Sequence, residues 1–120
     1  MTALLVALGG GLGALLRFTL DGTARARWGA LGHWATFGIN ITGSLVLGVL
    51  AGLLAHGELT QTWELALGTG VCGGYTTFST ASVETVRLLQ QRRAVAATVY
   101  AGASLIVSLA ACAAGYALAA

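Results

Sequence analysis

Long apolar runs, broken in only three places, dominate this chain. Thr2 to Leu20, Trp34 to Ala55, about Thr62 to Leu89 and about Ala94 to Ala119 are each helix-length apolar segments. About 20 helical residues cross the ~30 Å hydrocarbon core of a bilayer, so each run is long enough to span it. The pattern predicts an all-α integral membrane protein with four transmembrane helices in one domain over residues 1–120. Asp21 to His33 is the longest connection, while His56 to Gln61 and Gln90 to Arg93 are short turns, which makes neighbouring spans antiparallel. Trp28, Trp34 and Trp63 mark span ends, where indole rings prefer the headgroup zone. Ala24-Arg25-Ala26 has the form of a signal-peptide cleavage site. No basic flank precedes the first apolar run, however, and its arginines follow it, so that run reads as a retained helix.

Polar residues inside the runs carry the chemistry. Gly73 to Thr80 reads GGYTTFST, with two adjacent glycines and four Ser/Thr hydroxyls in the middle of the third run. Glycine weakens a helix and Ser/Thr hydroxyls compete for its backbone bonds, so the third helix is expected to be broken near the membrane centre. Unwound backbone at that depth persists only where protein buries it or a polar path passes, which makes it a candidate ion or solute site. The second run places Thr36, Asn40, Ser44, Gly48 and Gly52 on one stripe, and the fourth places Tyr100, Ser104 and Ser108 likewise. The third adds Thr76, Thr77, Ser79, Thr80, Ser82 and Glu84. These stripes are rich in N–H and O–H donors, and Glu84 is the one acidic side chain well inside a span. Such lining suits a small, strongly hydrated anion, whose lost water donors must replace.

Each residue also has a plainer reading. Asn40, taken by itself, reads as glue between helices. Phe78 either packs or offers the partly positive edge of its ring. Arg17 snorkels to the interface, draws anions to an entrance, or ties down the broken helix. Glu84 and Arg87, three apart, read as an ion pair rather than as transport residues. Gly9 and Gly13, Gly48 and Gly52, and Gly70 and Gly74 have the spacing of close helix packing. A polar path needs walls on every side, which one four-helix unit can hardly supply, so an oligomer is expected.

Composition narrows the field further. The chain is 57% hydrophobic and 8% charged, against about 25% charged in soluble domains. There is no proline or lysine, and all six basic residues are arginine. A net charge of +2, with arginines in connections rather than on one face, argues against nucleic acid as a partner. Cys72 and Cys112 read as small packing residues, and His33 and His56 as interfacial ones. With no histidine inside a span to act as a base and no metal-ligand cluster, the chain does not read as an enzyme.

GGGLGALLRF (Gly9 to Phe18), INITGSLVLG (Ile39 to Gly48) and GTGVCGGYTTFSTASVE (Gly68 to Glu84) together resemble the Fluc, or CrcB, family of small fluoride channels. The similarity covers nearly the whole chain with the motifs in order, and GGYTTFST is its most distinctive part. The resemblance implies an antiparallel, dual-topology dimer in the bacterial inner membrane, passing toxic fluoride outward passively. It also implies a structural sodium ion at the dimer interface, held by the backbone carbonyls of Gly73 and Thr76. The fluoride route it implies runs past Asn40, Phe78, Ser79, Thr80 and Tyr100. Arg17 and Glu84 are left as structural or entrance residues. The family pattern usually has a second phenylalanine where this chain has Ala81.

Two other readings compete with the channel. A proton-coupled small multidrug exporter has the same size, but it needs a buried carboxylate in the first span, and Thr2 to Leu20 contains none. A non-transporting assembly subunit would leave Asn40 and the broken helix purely structural. Charge also predicts orientation. Arg25, Arg27, Arg87, Arg92 and Arg93 lie in or beside the first and third connections, and the opposite side has Glu58 and Glu64 but no Lys or Arg. The arginine side should be cytoplasmic and both termini outside. Chains that all point one way cannot form an antiparallel dimer, so this bias and Ala81 favour a heterodimer with an inverted paralogue. A homodimer using a minority orientation is the alternative.

Overall fold

The computed structural model describes residues 1–119, so Ala120, the last residue of the expected domain, lies outside the described residues. All regular structure among these residues is helical: α1 (Thr2–Trp28), a 3-10 turn (Gly29–Leu31), α2 (His33–Ala55), α3 (Gln61–Glu64), a π-helical segment (Leu65–Cys72), α4 (Gly73–Tyr75), α5 (Phe78–Gln90) and α6 (Ala94–Leu118). Three helices are long and apolar enough to cross a membrane: α1 with its 3-10 turn, α2 and α6. The molecule is 48 Å in its longest dimension, close to the roughly 40–45 Å of a bilayer with headgroups.

The first helix does not stop at Leu20. It runs through the polar stretch to Trp28 and ends at Gly29, whose φ of 52° lies in the left-handed region open to glycine. Arg25 and Arg27 in its last turn complement the negative end of the helix dipole. The residues read as the start of a connection, Asp21 among them, are therefore helical.

Two parallel pairs make the core. In one, α1 lies along the π segment and α4, with Gly9 and Gly13 against Ala66, Val71 and Tyr75, and Gly70 and Gly74 against Val6 and Gly10. In the other, α2 lies along α6, with Gly48 on Cys112, Gly52 on Tyr116, and Gly115 on Leu45. A methyl group on Gly13 or Gly48 would overlap the carbonyl oxygen of Val71 or Cys112, so backbone touches backbone at both crossings. The outer faces stay apolar and open: Leu8, Leu12 and Leu15 on α1, and Leu105, Ile106 and Leu109 on α6, are exposed. Only 11% of each apolar window of α1 and α6 is buried within the chain, which leaves these faces for lipid and for other protein.

Candidate functional site

The site grows from two residues that leave helical geometry between α4 and α5. Thr76 (φ −78°, ψ 161°) and Thr77 (φ −150°, ψ 120°) are extended. The neighbouring glycines are not the cause, because Gly73 keeps helical dihedrals of −63° and −40°. Instead, α2 supplies a substitute partner. The amide nitrogen of Asn40 donates to the Thr77 carbonyl at 2.9 Å, and its oxygen accepts from the Thr77 N–H at 2.8 Å. One side chain thus pairs both backbone groups of Thr77, as a residue of a neighbouring strand would. Gly43, one turn further along α2, leaves room for the Thr76 methyl and the Tyr75 ring to approach.

α5 then starts on a cap from inside the break. The Thr77 hydroxyl accepts from the Thr80 N–H at 3.2 Å and also bonds the hydroxyls of Thr80, at 3.1 Å, and Ser79, at 3.2 Å. Arg17 reaches across from α1, its Nε donating to the Gly74 carbonyl at 3.1 Å. Of the three readings of Arg17, this contact is the one that ties down the third segment.

The break takes the helical donors from the carbonyls of Gly73 to Thr76, and Arg17 replaces the one at Gly74. In a continuous helix the Thr77 N–H would bond Gly73 O and the Thr80 N–H would bond Thr76 O. Here the first goes to Asn40 and the second to the Thr77 hydroxyl. Carbonyls released in this way suit a hard cation, which is ligated by oxygen. No cluster of three or more His, Cys, Asp or Glu capable of holding a metal occurs among the described residues.

Beside the break runs a groove of about 610 Å³ between α2, the third segment and α6. Its polar lining residues are Asn40, Ser44, Thr69, Thr76, Thr77, Ser82, Thr85, Ser104 and Ser108, set in an otherwise apolar wall, and no carboxylate lines it. The Oγ atoms of Ser104 and Ser108 are buried with no hydrogen-bond partner. An unmet buried hydroxyl costs roughly 1–3 kcal/mol, so each serine would gain by rotating its hydroxyl towards an acceptor in the groove. Phe78 stands at the groove, 88% exposed, and Ala81 lines it too. Ser79 is exposed and Thr80 half-buried, next to the Thr77 cap.

Tyr100 and Glu84 lie elsewhere, in a second polar cluster. Tyr100 is buried and donates to the Glu84 carboxylate at 2.6 Å. The other oxygen of Glu84 is held by Arg25, while Thr36 lies 3.4 Å from it. Arg25 also pairs with Asp21 at 2.8 Å and reaches the Thr36 hydroxyl at 3.2 Å. The expected Glu84–Arg87 pair is corrected: the glutamate faces α1 and α6, and its cation comes from α1. Sequence reasoning missed Arg25 because it ended the first helix too early. The four-residue spacing of Asp21 and Arg25 was the available signal.

The family model described as CrcB-like protein, Camphor Resistance (CrcB), matches residues 4–116. The chain belongs to the CrcB family. Relatives include fluoride-specific ion channel FluC 1 of Leifsonia xyli, 53% identical over 78% of this chain and 68% of the relative. FluC of Novosphingobium aromaticivorans is 46% identical over 87% of this chain and 84% of its own length. FluC 2 of Nitrobacter hamburgensis is 41% identical over 98% and 96% respectively. These relatives are ion channels, not enzymes. With its three long apolar helices, this member of the family is a multi-pass protein of the bacterial cell membrane.

Proposed function

We propose that the chain is one half of a fluoride channel that lets the ion leave passively, and that the groove beside Asn40 is part of the ion's route. The observation that carries this reading is a groove lined by Asn40, Ser44, Thr76 and Thr77 with no carboxylate, and with the unpartnered serines Ser104 and Ser108 on its wall. A carboxylate-free wall accepts an anion, and hydroxyl and amide donors replace its hydration. Asn40 has two amide hydrogens and Thr77 takes one, which leaves one for a passing ion. Phe78 stands at the groove with its ring edge available and Ser79 and Thr80 flank the break, whereas Tyr100, whose hydroxyl is held by Glu84, lies outside this groove. A proton-coupled exporter fits less well, because the one carboxylate in its path would be Glu84, which Arg25 already neutralises.

The fourth span in this reading is the third segment, crossing the bilayer with its extended residues at membrane depth. A hydroxyl-lined groove open to hydrocarbon would be costly, so a second subunit in antiparallel orientation closes it, covering Phe78. The Gly73 and Thr76 carbonyls fit a sodium ion at that interface. When bound, the cation raises the local potential for an anion.

Reconstituted protein, with any partner it needs, is expected to release fluoride from liposomes down its gradient at any fixed pH, with chloride efflux at background. Comparable chloride efflux, or a strict requirement for a proton gradient, would overturn the channel reading.

The ends of the molecule bear on the partner. His33 and Trp34 lie beside Arg92 and Arg93 at one end, with Arg25 and Arg27 in the last turn of α1 nearby in sequence. We infer a cytoplasmic arginine end, both termini outside, and an inverted paralogue that supplies the ring absent at Ala81. A reporter fused at the C-terminus of the chain expressed alone should signal from outside only. Equal signals from both sides, or robust fluoride efflux by this chain purified alone, would favour the homodimer.

A further inference from the structure

At the arginine end a second groove, of about 690 Å³, opens between the 3-10 turn, the start of α2, the end of α5 and the start of α6. Its walls are apolar: Leu31, Trp34, Leu88, Val95 and Val99. Trp34 is braced edge-on by Phe37, with centroids 5.2 Å apart, and by Tyr100, at 6.1 Å, so the aromatic side of the groove is packed in place. Val95 and Val99 are 79% and 56% exposed. Arg92 and Arg93 line the same groove, and among the described residues neither has a carboxylate within ion-pairing distance. The two nearby acids, Asp21 and Glu84, are already engaged by Arg25.

We propose that this groove binds one anionic phospholipid of the leaflet at the arginine end, its phosphodiester on Arg92 and Arg93 and an acyl chain along Val95 and Val99. Charge complementarity selects the occupant. α2 and α6 start their crossing here, so the paired guanidiniums lie at headgroup depth and the valines below them. Guanidinium bonds phosphate through paired N–H donors, and basic residues at this depth attract anionic headgroups. A zwitterionic headgroup would bring its own ammonium against two arginines. The wall below the arginines is too apolar for a soluble anion to gain from it. The inference is independent of which ion the chain conducts.

The test is native mass spectrometry of the purified assembly, titrated with phosphatidylglycerol or with phosphatidylcholine of the same acyl chains. Phosphatidylglycerol should bind in preference, and Arg92→Asn with Arg93→Gln should weaken it roughly 30-fold, at about one kcal/mol per arginine. Asn is chosen because Arg92 has a φ of 58°, which asparagine tolerates, so the turn survives. Val99→Trp keeps both arginines and fills the acyl slot, and it should also lose the lipid. Equal uptake of the two lipids, an unchanged affinity in either variant, or displacement of the bound lipid by millimolar inorganic phosphate would overturn the proposal.

Discussion

Arg25→Gln is expected to destabilise the protein by about 2 to 4 kcal/mol, and Arg25→Gln with Glu84→Gln to recover most of that loss. The Glu84 side chain is 5% exposed and Arg25 34% exposed. Removing the guanidinium leaves a buried carboxylate held only by the hydroxyls of Thr36 and Tyr100. Breaking a buried pair costs roughly 3 to 5 kcal/mol, and the partial exposure of Arg25 discounts it. Glutamine at position 84 removes the charge and can still accept from Tyr100. Thermal unfolding of the detergent-purified assembly measures both variants. If the double variant is no more stable than Arg25→Gln alone, Glu84 is not what Arg25 compensates. Arg87→Gln, which removes a cation that does not touch Glu84, should leave stability within about 0.5 kcal/mol of the parent.

That cluster shows where sequence reading stopped. Glu84 stood out as an acid inside a span, but its partner lies 59 positions away. Hydropathy reports where an apolar run ends, not where a helix ends, and α1 continues past its apolar run to Trp28. Asp21 and Arg25 looked like connection residues for that reason. The donor stripes on α2 and α6 were legible because side chains four apart share a helix face. Asn40, Ser44, Ser104 and Ser108 do line one groove. Tyr100 has the same spacing, yet its hydroxyl is drawn to Glu84 instead. Periodicity places a residue on a face but does not name the atom it bonds.

The GGYTTFST motif divides in the same way. Its unusual backbone was legible as a location, since the extended Thr76 and Thr77 fall within it. The physical cause was not. The two glycines suggested flexibility, but Gly73 remains helical, and a methyl on Gly74 would overlap the Gly10 carbonyl. Gly74 serves close approach to α1. The extended pair is held by the Asn40 amide, by the Thr77 cap on Thr80, and by Arg17 on Gly74. The cap is local and of a kind that threonine favours, but the other two are long-range side-chain contacts that local propensity does not encode. The π geometry of Leu65–Cys72 gave no sequence signal either. It accompanies tight backbone packing on Gly9 and Gly13.

Asn40→Asp is expected to lower fluoride efflux at least about tenfold and to loosen the break as well. The substitution changes two contacts at once. The nitrogen that donates to the Thr77 carbonyl at 2.9 Å becomes an oxygen facing an oxygen, while the 2.8 Å bond from the Thr77 N–H is kept. The hydrogen left for the ion is replaced by negative charge. Hydrogen bonds to charged groups contribute roughly 1.5 to 3 kcal/mol, which corresponds to roughly 10- to 150-fold in a binding step. The two effects separate by measurement. Loss of the Thr77 pairing should appear as faster amide exchange around Thr76 to Thr80, and loss of the ion's donor as reduced efflux from proteoliposomes. Thr80→Val keeps the Asn40 amide and removes the hydroxyl contact with Thr77, so it should speed the exchange of this segment without removing the Asn40 donor. If Asn40→Asp assembles, exchanges faster over this segment and still conducts like the parent, Asn40 braces the break and donates nothing to the ion. If exchange is unchanged while efflux collapses, the remaining hydrogen of Asn40 belongs to the permeation path, as proposed.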